Sequence, residues 1–191
     1  MDVTKIADYI KEGAKTLNIY KWDFGASFSN DFSVQIDKGV AKQLKASQKQ
    51  VLTLRVWNDN DLVGITTTSD LSESGLKKAL FQANLASEYG NKNEKTDFSP
   101  LSKDPIKLLN TKKINPSGIK KLLTVLRIAE TKLLKKHEAI KSIPYNGLSE
   151  SFFKRVYANS DGASRSFENS QAALYLYARA EEKDKKPRSS G

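Results

Sequence analysis

The spacing of apolar residues changes repeatedly along the chain, and each change marks a new element. Between residues 2 and 17, Val3, Ile6, Ala7, Ile10, Ala14 and Leu17 recur at the intervals that place them on one helical face. Asn18 is a suitable stop. From 20 to 68 the interval falls to two. The runs YKWDFGASF, FSVQI, VAKQLKAS, VLTLRVW and LVGITTT are rich in the β-branched and aromatic residues that a pleated surface favours. Turn chemistry follows them at Ser29-Asn30-Asp31, Asp37-Lys38-Gly39, Ser47-Gln48-Lys49 and Asn58-Asp59-Asn60-Asp61. Such short connections imply antiparallel neighbours, because parallel strands need long crossovers. The pattern predicts a meander of four or five strands.

A second helix announces its own start. Ser72 is placed to cap free backbone N–H groups, Glu73 suits the positive end, and Leu71 is placed to staple against Leu76. Leu76, Ala79, Leu80, Ala83 and Ser87 then share a face, and Gly90 and Asn91 end the helix. Residues 91–114 are polar and punctuated by Pro100 and Pro105, which reads as a loop pinned in part by Phe98 and Leu101. Asn115-Pro116 supplies a cap and a first-turn proline for a third helix. Its stripe runs through Ile119, Leu122, Leu123, Leu126, Ala129, Leu133 and Ile140, with Pro144, Asn146 and Gly147 as the stop. The strand pattern returns in FFKRVYANS, turns at Asp161-Gly162, and continues in ASRSFENSQAALYLYARAEE. The ending EEKDKKPRSSG is charged and reads as unstructured, so the last hairpin looks like part of an interrupted sheet. The fold class is α+β: an N-terminal helix, an antiparallel β-meander, two helices, then a further β-hairpin.

Composition narrows the chemistry. The chain has 191 residues, 38% hydrophobic and 9% aromatic, enough for a real core. It has no cysteine, which removes disulfides and thiolate metal sites and suits a reducing compartment. The start MDVTKIADYIKEG lacks a secretory pattern, and no run approaches the length of a membrane span. A cytoplasmic protein without membrane association is expected. The net charge of +10 invites a nucleic-acid reading. Yet arginine stands only at 55, 127, 155, 165, 179 and 188, and the lysines are scattered among Asn and Ser. Bidentate recognition of bases and phosphates leans on arginine. Nucleic acid is therefore not expected as a partner, and Lys120-Lys121 and Lys135-Lys136 read as a solvated helix face.

His137 is the lone histidine, and it bounds catalysis sharply. Any serine triad must route through it. His137-Glu138 resembles half of a zinc-binding helix motif, but position 141 is lysine and no second imidazole exists. The plain reading is a histidine near a helix C-terminus, where positive charge is tolerated. Phosphate-binding glycine motifs are missing from the sequence. Trp22 and Trp57 lie in strand patterns and read as core or sheet-face residues. No catalytic, cofactor-binding or metal-ligating residue is assigned.

Over residues 39–72 the order of elements resembles the N-terminal region of the TldD/PmbA family, once labelled modulators of DNA gyrase. The resemblance rests on Gly39-Val40, on Arg55-Val56-Trp57, on Val63-Gly64, and on Thr68-Ser69-Asp70-Leu71-Ser72 opening a helix. Phe98-Ser99-Pro100-Leu101 and Val156-Tyr157-Ala158-Asn159-Ser160-Asp161-Gly162 extend it, the latter matching an Asn-Ser-x-Gly turn. One departure stands at Gln50-Val51-Leu52-Thr53, where the family commonly has glycines. The resemblance covers essentially the whole chain but only the front part of a family member. It implies that 1–183 forms a TldD/PmbA-type N-terminal domain, that 184–191 is a charged disordered tail, and that the family's C-terminal domain is absent.

The lack of metal residues places the chain nearer the PmbA branch, also called TldE, whose members are the non-catalytic partner. The resemblance implies a subunit of a heteromeric metalloprotease that degrades or trims unfolded peptides inside a closed chamber. Zinc is expected in the homologous TldD-type subunit, held by a His-Glu-x-x-x-His helix, with no cofactor in this chain. Alone, this chain is expected to be inactive. A lysine-rich nucleic-acid-associated module and a stand-alone α+β binding module are the alternatives.

Overall fold

The computed structural model describes residues 3–91, 96–105, 116–183 and 185–191. Its elements run α1 (Val3–Thr16), β1 (Lys21–Asp37), β2 (Val40–Trp57), β3 (Val63–Thr68), α2 (Glu73–Ser87), a 3-10 turn (Pro100–Lys103), α3 (Gly118–Leu134), β4 (Ile140–Asn159), β5 (Ser164–Ala180) and β6 (Arg188–Ser190). The strands form a six-stranded sheet in the order β3-β2-β1-β4-β5-β6. The α+β class expected from the sequence is the observed one, and the last hairpin belongs to the same sheet as the meander.

The chain divides into two compact units, one built from 1–28, 49–111 and 154–168, the other from 29–48, 112–153 and 169–191. Each unit has its own core. In the first, α1 and α2 cover one face of the strands. Ile6, Ile10 and Ala14 of α1 meet Leu76, Ala79, Leu80 and Ala83 of α2 and the inward row Trp22, Phe24, Ala26, Leu52, Leu54, Val56, Val156 and Ala158. Those strand residues are even-numbered, as a two-residue period requires of one face. Gly64 of β3 lets α2 come close, since a Cβ there would stand 1.8 Å from the Ala83 carbonyl oxygen. The second unit packs α3 on its strands through Leu122 and Leu126 against Val34, Ile36 and Leu148, with Ile119, Leu123, Phe32 and Leu176 around them.

Local chemistry sets the element ends. Asn18 has φ 54 and follows α1, where the left-handed conformation suits asparagine. Lys38 and Gly39, with φ 48 and 77, make the tight turn between β1 and β2. Ser72 caps α2 by accepting from the Gly75 N–H at 3.1 Å, and Leu71 and Leu76 are both buried in the core beneath.

Several expectations are corrected. The turns placed at Ser29-Asn30-Asp31 and Ser47-Gln48-Lys49 are continuous strand, so the meander has three strands there. Both positions lie where the chain passes from one compact unit to the other. There polar residues interrupt the alternation while the strand continues. The third helix ends at Leu134, and Ile140, Pro144, Asn146 and Gly147 all belong to β4. Asn146 is buried, and its amide accepts from Ile36 N–H at 3.0 Å and donates to the Ile36 carbonyl at 2.9 Å. A Cβ at Gly147 would meet the Tyr175 ring at 2.5 Å. Asn146 and Gly147 therefore serve strand pairing and close packing. At the start of α3, Pro116 precedes the first helical residue, Ser117 makes no side-chain cap bond, and Asn115 lies outside the described residues. Leu101 is 68% exposed and pins nothing, whereas Phe98 packs edge-on against Trp57. Arg188–Ser190, placed in the charged tail, pair with Ala178–Ala180.

Asn146→Ala would leave a buried donor and a buried acceptor of Ile36 unpaired, and should cost about 3 kcal/mol in urea unfolding. Lys141→Ala, exposed on the same strand, should change stability by less than about 0.5 kcal/mol. Equal effects of the two substitutions would contradict this account of Asn146.

Candidate functional site

In the first unit, the odd-numbered strand residues face away from the helices, and they carry its densest polar chemistry. Asp23 of β1 is buried, although it lies on this outward row. Arg55 on the neighbouring β2 forks onto it, with Nε 2.8 Å from Oδ1 and the second nitrogen bonded to Oδ2. Tyr157 on β4, the strand on the other side, donates its hydroxyl to the same carboxylate at 3.2 Å. One acid thus ties three adjacent strands. Burial of a carboxylate is costly unless it is paired and hydrogen-bonded, and here both conditions are met.

The titration behaviour follows from this arrangement. The bond to Asp23 holds the Arg55 guanidinium above its ordinary ionisation range. Burial, and then the nearby Asp23 charge, pushes the Tyr157 phenol up. At neutral pH the cluster is a neutralised ion pair with a protonated phenol.

An aromatic box adjoins it. Arg55 lies 5.1 Å from the Trp57 ring centre, and Lys21 lies 5.1 Å from Trp57 and 5.5 Å from Phe98. Trp57 donates its indole N–H to the Thr96 carbonyl at 2.9 Å, and Lys21 pairs with Asp97 at 2.9 Å. These contacts fasten residues 96–98 onto the outward face. The 3-10 turn that follows is tied by Lys103 to Asp161 at 3.0 Å.

The motif residues singled out in the sequence prove to be joints. Asn159 accepts from Ala163 N–H at 2.9 Å, and Ser160 exchanges two bonds with Trp22, so the Asn-Ser-x-Gly turn is sewn to β1. In Thr68–Ser72, Asp70 N–H donates to the Thr68 hydroxyl and Ser72 N–H to the Asp70 carboxylate, both at 3.0 Å. The Ser72 side chain, and then the Ser72 N–H, hold the Asp70 carboxyl below its usual range.

His137 is not on the helix. It lies three residues past Leu134, exposed, and its Nδ1 accepts from the Ala139 N–H at 3.1 Å. Among the described residues no group of three or more His, Asp or Glu stands close enough to hold a metal. With a single imidazole, these residues do not fit a catalytic zinc. Trp22 and Trp57 are buried, and Lys120, Lys121, Lys135 and Lys136 are exposed, as expected. Sequence reasoning missed the Asp23–Arg55–Tyr157 cluster. Its signal was present: a charged or polar residue at the same strand parity in WDF, LRVW and VYAN.

Two family models match the chain in order, PmbA/TldA metallopeptidase domain 1 over residues 22–85 and the PmbA/TldA metallopeptidase central domain over 112–191. The chain belongs to the PmbA/TldD family. Its fold is similar to that of a proposed modulator of a DNA gyrase from Thermotoga maritima, with TM-score 0.78 and 17% identity over 98% of this chain and 42% of that one. TldE from Thermococcus kodakarensis gives 0.69 and 17% over 93% and 39%. A second proposed gyrase modulator, from Bacteroides thetaiotaomicron, gives 0.71 and 14% over 97% and 43%. At these identities the likeness speaks for the fold. The chain spans about two-fifths of the length of the solved structures it matches. No curated protein matches it. No helix among the described residues is long and apolar enough to cross a membrane.

Arg55→Met would strand the buried Asp23 carboxylate beside a single phenol and should cost about 3 kcal/mol or more. The double variant with Asp23→Asn should recover part of that loss in the same unfolding experiment. Simple additivity of the two costs would refute the pairing. Tyr157 supplies a pH test. Its folded ionisation is raised from 10.0, so its contribution is intact below that value. It is lost as pH rises further, because the unfolded phenol ionises first. Stability should therefore decline above pH 10 less steeply in Tyr157→Phe than in the parent chain.

Proposed function

We propose that this chain is the N-terminal part of a non-catalytic subunit of a PmbA/TldD-type metalloprotease complex, in the cytoplasm, whose assembly degrades or trims unfolded peptides. The observation that carries this reading is the ordered match of the two family domains, supported by a fold shared with a protein named TldE. The residues support the non-catalytic part. Asp23 is neutralised by Arg55, Tyr157 keeps its proton, and the one histidine stands exposed in a loop. Such a chain contributes surface and enclosure, gating extended polypeptides, while zinc chemistry belongs to a homologous TldD-type subunit.

The lysine excess supplies a second reading, a nucleic-acid-associated module. Its affinity for DNA would rest on phosphate contacts and should collapse between low and moderate salt. Tight binding to duplex DNA at low salt that falls steeply as salt rises would favour that reading over the first.

The chain alone should leave casein intact, with or without a chelator. It should co-purify with a TldD-type subunit, and the mixture should cleave casein in a chelator-sensitive manner. Cleavage by the chain unaided, or failure to associate with that subunit, would remove the proposal.

A further inference from the structure

The first half of β2 has a neighbour on one side only. β2 lies between β1 and β3 in the sheet, but β3 reaches only Leu52–Trp57. Over Val40–Val51 its other side meets no strand among the described residues. Every second residue of an antiparallel strand directs its N–H and C=O to a given flank. An uncovered edge therefore presents a row of unmet donors and acceptors to which another extended chain can add. From 40 to 51 every residue except Ser47 is exposed, with Val40 at 68% and Leu44 at 50%.

Charge selects the occupant. Lys42, Lys45 and Lys49 stand on this segment, and the sequence has no acidic residue between Asp37 and Asp59. The two-residue period puts Lys42 on one face with Val40 and Leu44, and Lys45 and Lys49 on the other. None of the three has an ion-pair partner among the described residues. A second copy pairing along this edge would bring lysines toward lysines, which is unfavourable for cross-strand neighbours. An acidic strand meets countercharges on both faces.

We propose that the Val40–Val51 edge of β2 docks an extended acidic segment of another polypeptide. The segment adds to the sheet through main-chain hydrogen bonds and sets carboxylates against Lys42, Lys45 and Lys49. The inference rests on the edge and its charge, independently of the peptidase-complex reading.

The test uses the whole chain and fluorescent peptides followed by anisotropy. A peptide of alternating glutamate and valine should bind, and its lysine–valine counterpart should not. The same acidic peptide N-methylated at alternate amides should lose binding, because its charge is kept while its strand hydrogen bonds are blocked. The triple variant K42E/K45E/K49E should weaken the acidic peptide by about tenfold or more and accept the lysine peptide instead. Should that variant unfold by circular dichroism, the N-methylation comparison on the unaltered chain still decides. No binding of the acidic peptide, equal binding of its N-methylated form, or equal displacement by single-stranded DNA would overturn the proposal. Association with a TldD-type subunit is measured separately, so the two readings fail separately.

Discussion

A carboxylate removed from water must be given a countercharge and donors, and Asp23 imposes that demand on the middle of the first unit. Arg55 answers from one neighbouring strand and Tyr157 from the other. The consequences spread outward. Arg55, fixed by Asp23, lies against Trp57. Trp57 in turn takes the Thr96 carbonyl, and Phe98 and Lys21 close over it. Tyr157 lies one alternate position from Asn159, whose amide shapes the turn that Ser160 fastens to Trp22. The helices could in principle pack on any sheet with the right apolar row. The polar face determines which residues of each strand stand side by side, because a slip by one residue would leave Asp23 facing the core.

The second unit meets the same problem with a neutral group. Asn146 satisfies both the N–H and the carbonyl of Ile36 and donates again to the Ile143 carbonyl at 3.2 Å. An amide has a donor and an acceptor in one plane, so it repairs a local break in a ladder without bringing charge into the core. The neighbouring Gly147 then makes room for Tyr175, whose hydroxyl accepts from Gln35 at 3.0 Å. Charge pairing organises one unit and amide bonding the other. Neither unit relies on apolar burial alone to define its strand register.

This division explains which parts of the fold could be read from the residues. α1 and α2 were legible because their apolar stripes and the Ser72 cap all agree on one answer. The hairpin turns at Lys38-Gly39 and at Asp161-Gly162 were legible because their backbone needs the residues found there. The failures share a cause. Ser29-Asn30-Asp31 and Ser47-Gln48-Lys49 have turn composition, yet long-range pairing carries the strand through them. Pro144, Asn146 and Gly147 have breaker composition, yet all three lie in β4, where Asn146 and Gly147 meet partners distant in sequence. The Asp23 cluster is not legible locally, because Arg55 and Tyr157 stand 32 and 134 positions away, and a single acid in a strand pattern looks like any solvated one.

Two uncovered stretches of strand edge among the described residues show how the same geometry takes different chemistry. β6 covers only Ala178–Ala180 of β5, and the stretch before it, through Leu174, Tyr175 and Tyr177, bears no charge from Asn169 to Ala178. That edge is suited to apolar company. β2, by contrast, places a lysine on each of its faces along the stretch that β3 leaves open. Lysine at an edge excludes like-charged strands as effectively as it admits acidic ones, so the same residues that prevent self-pairing define a partner.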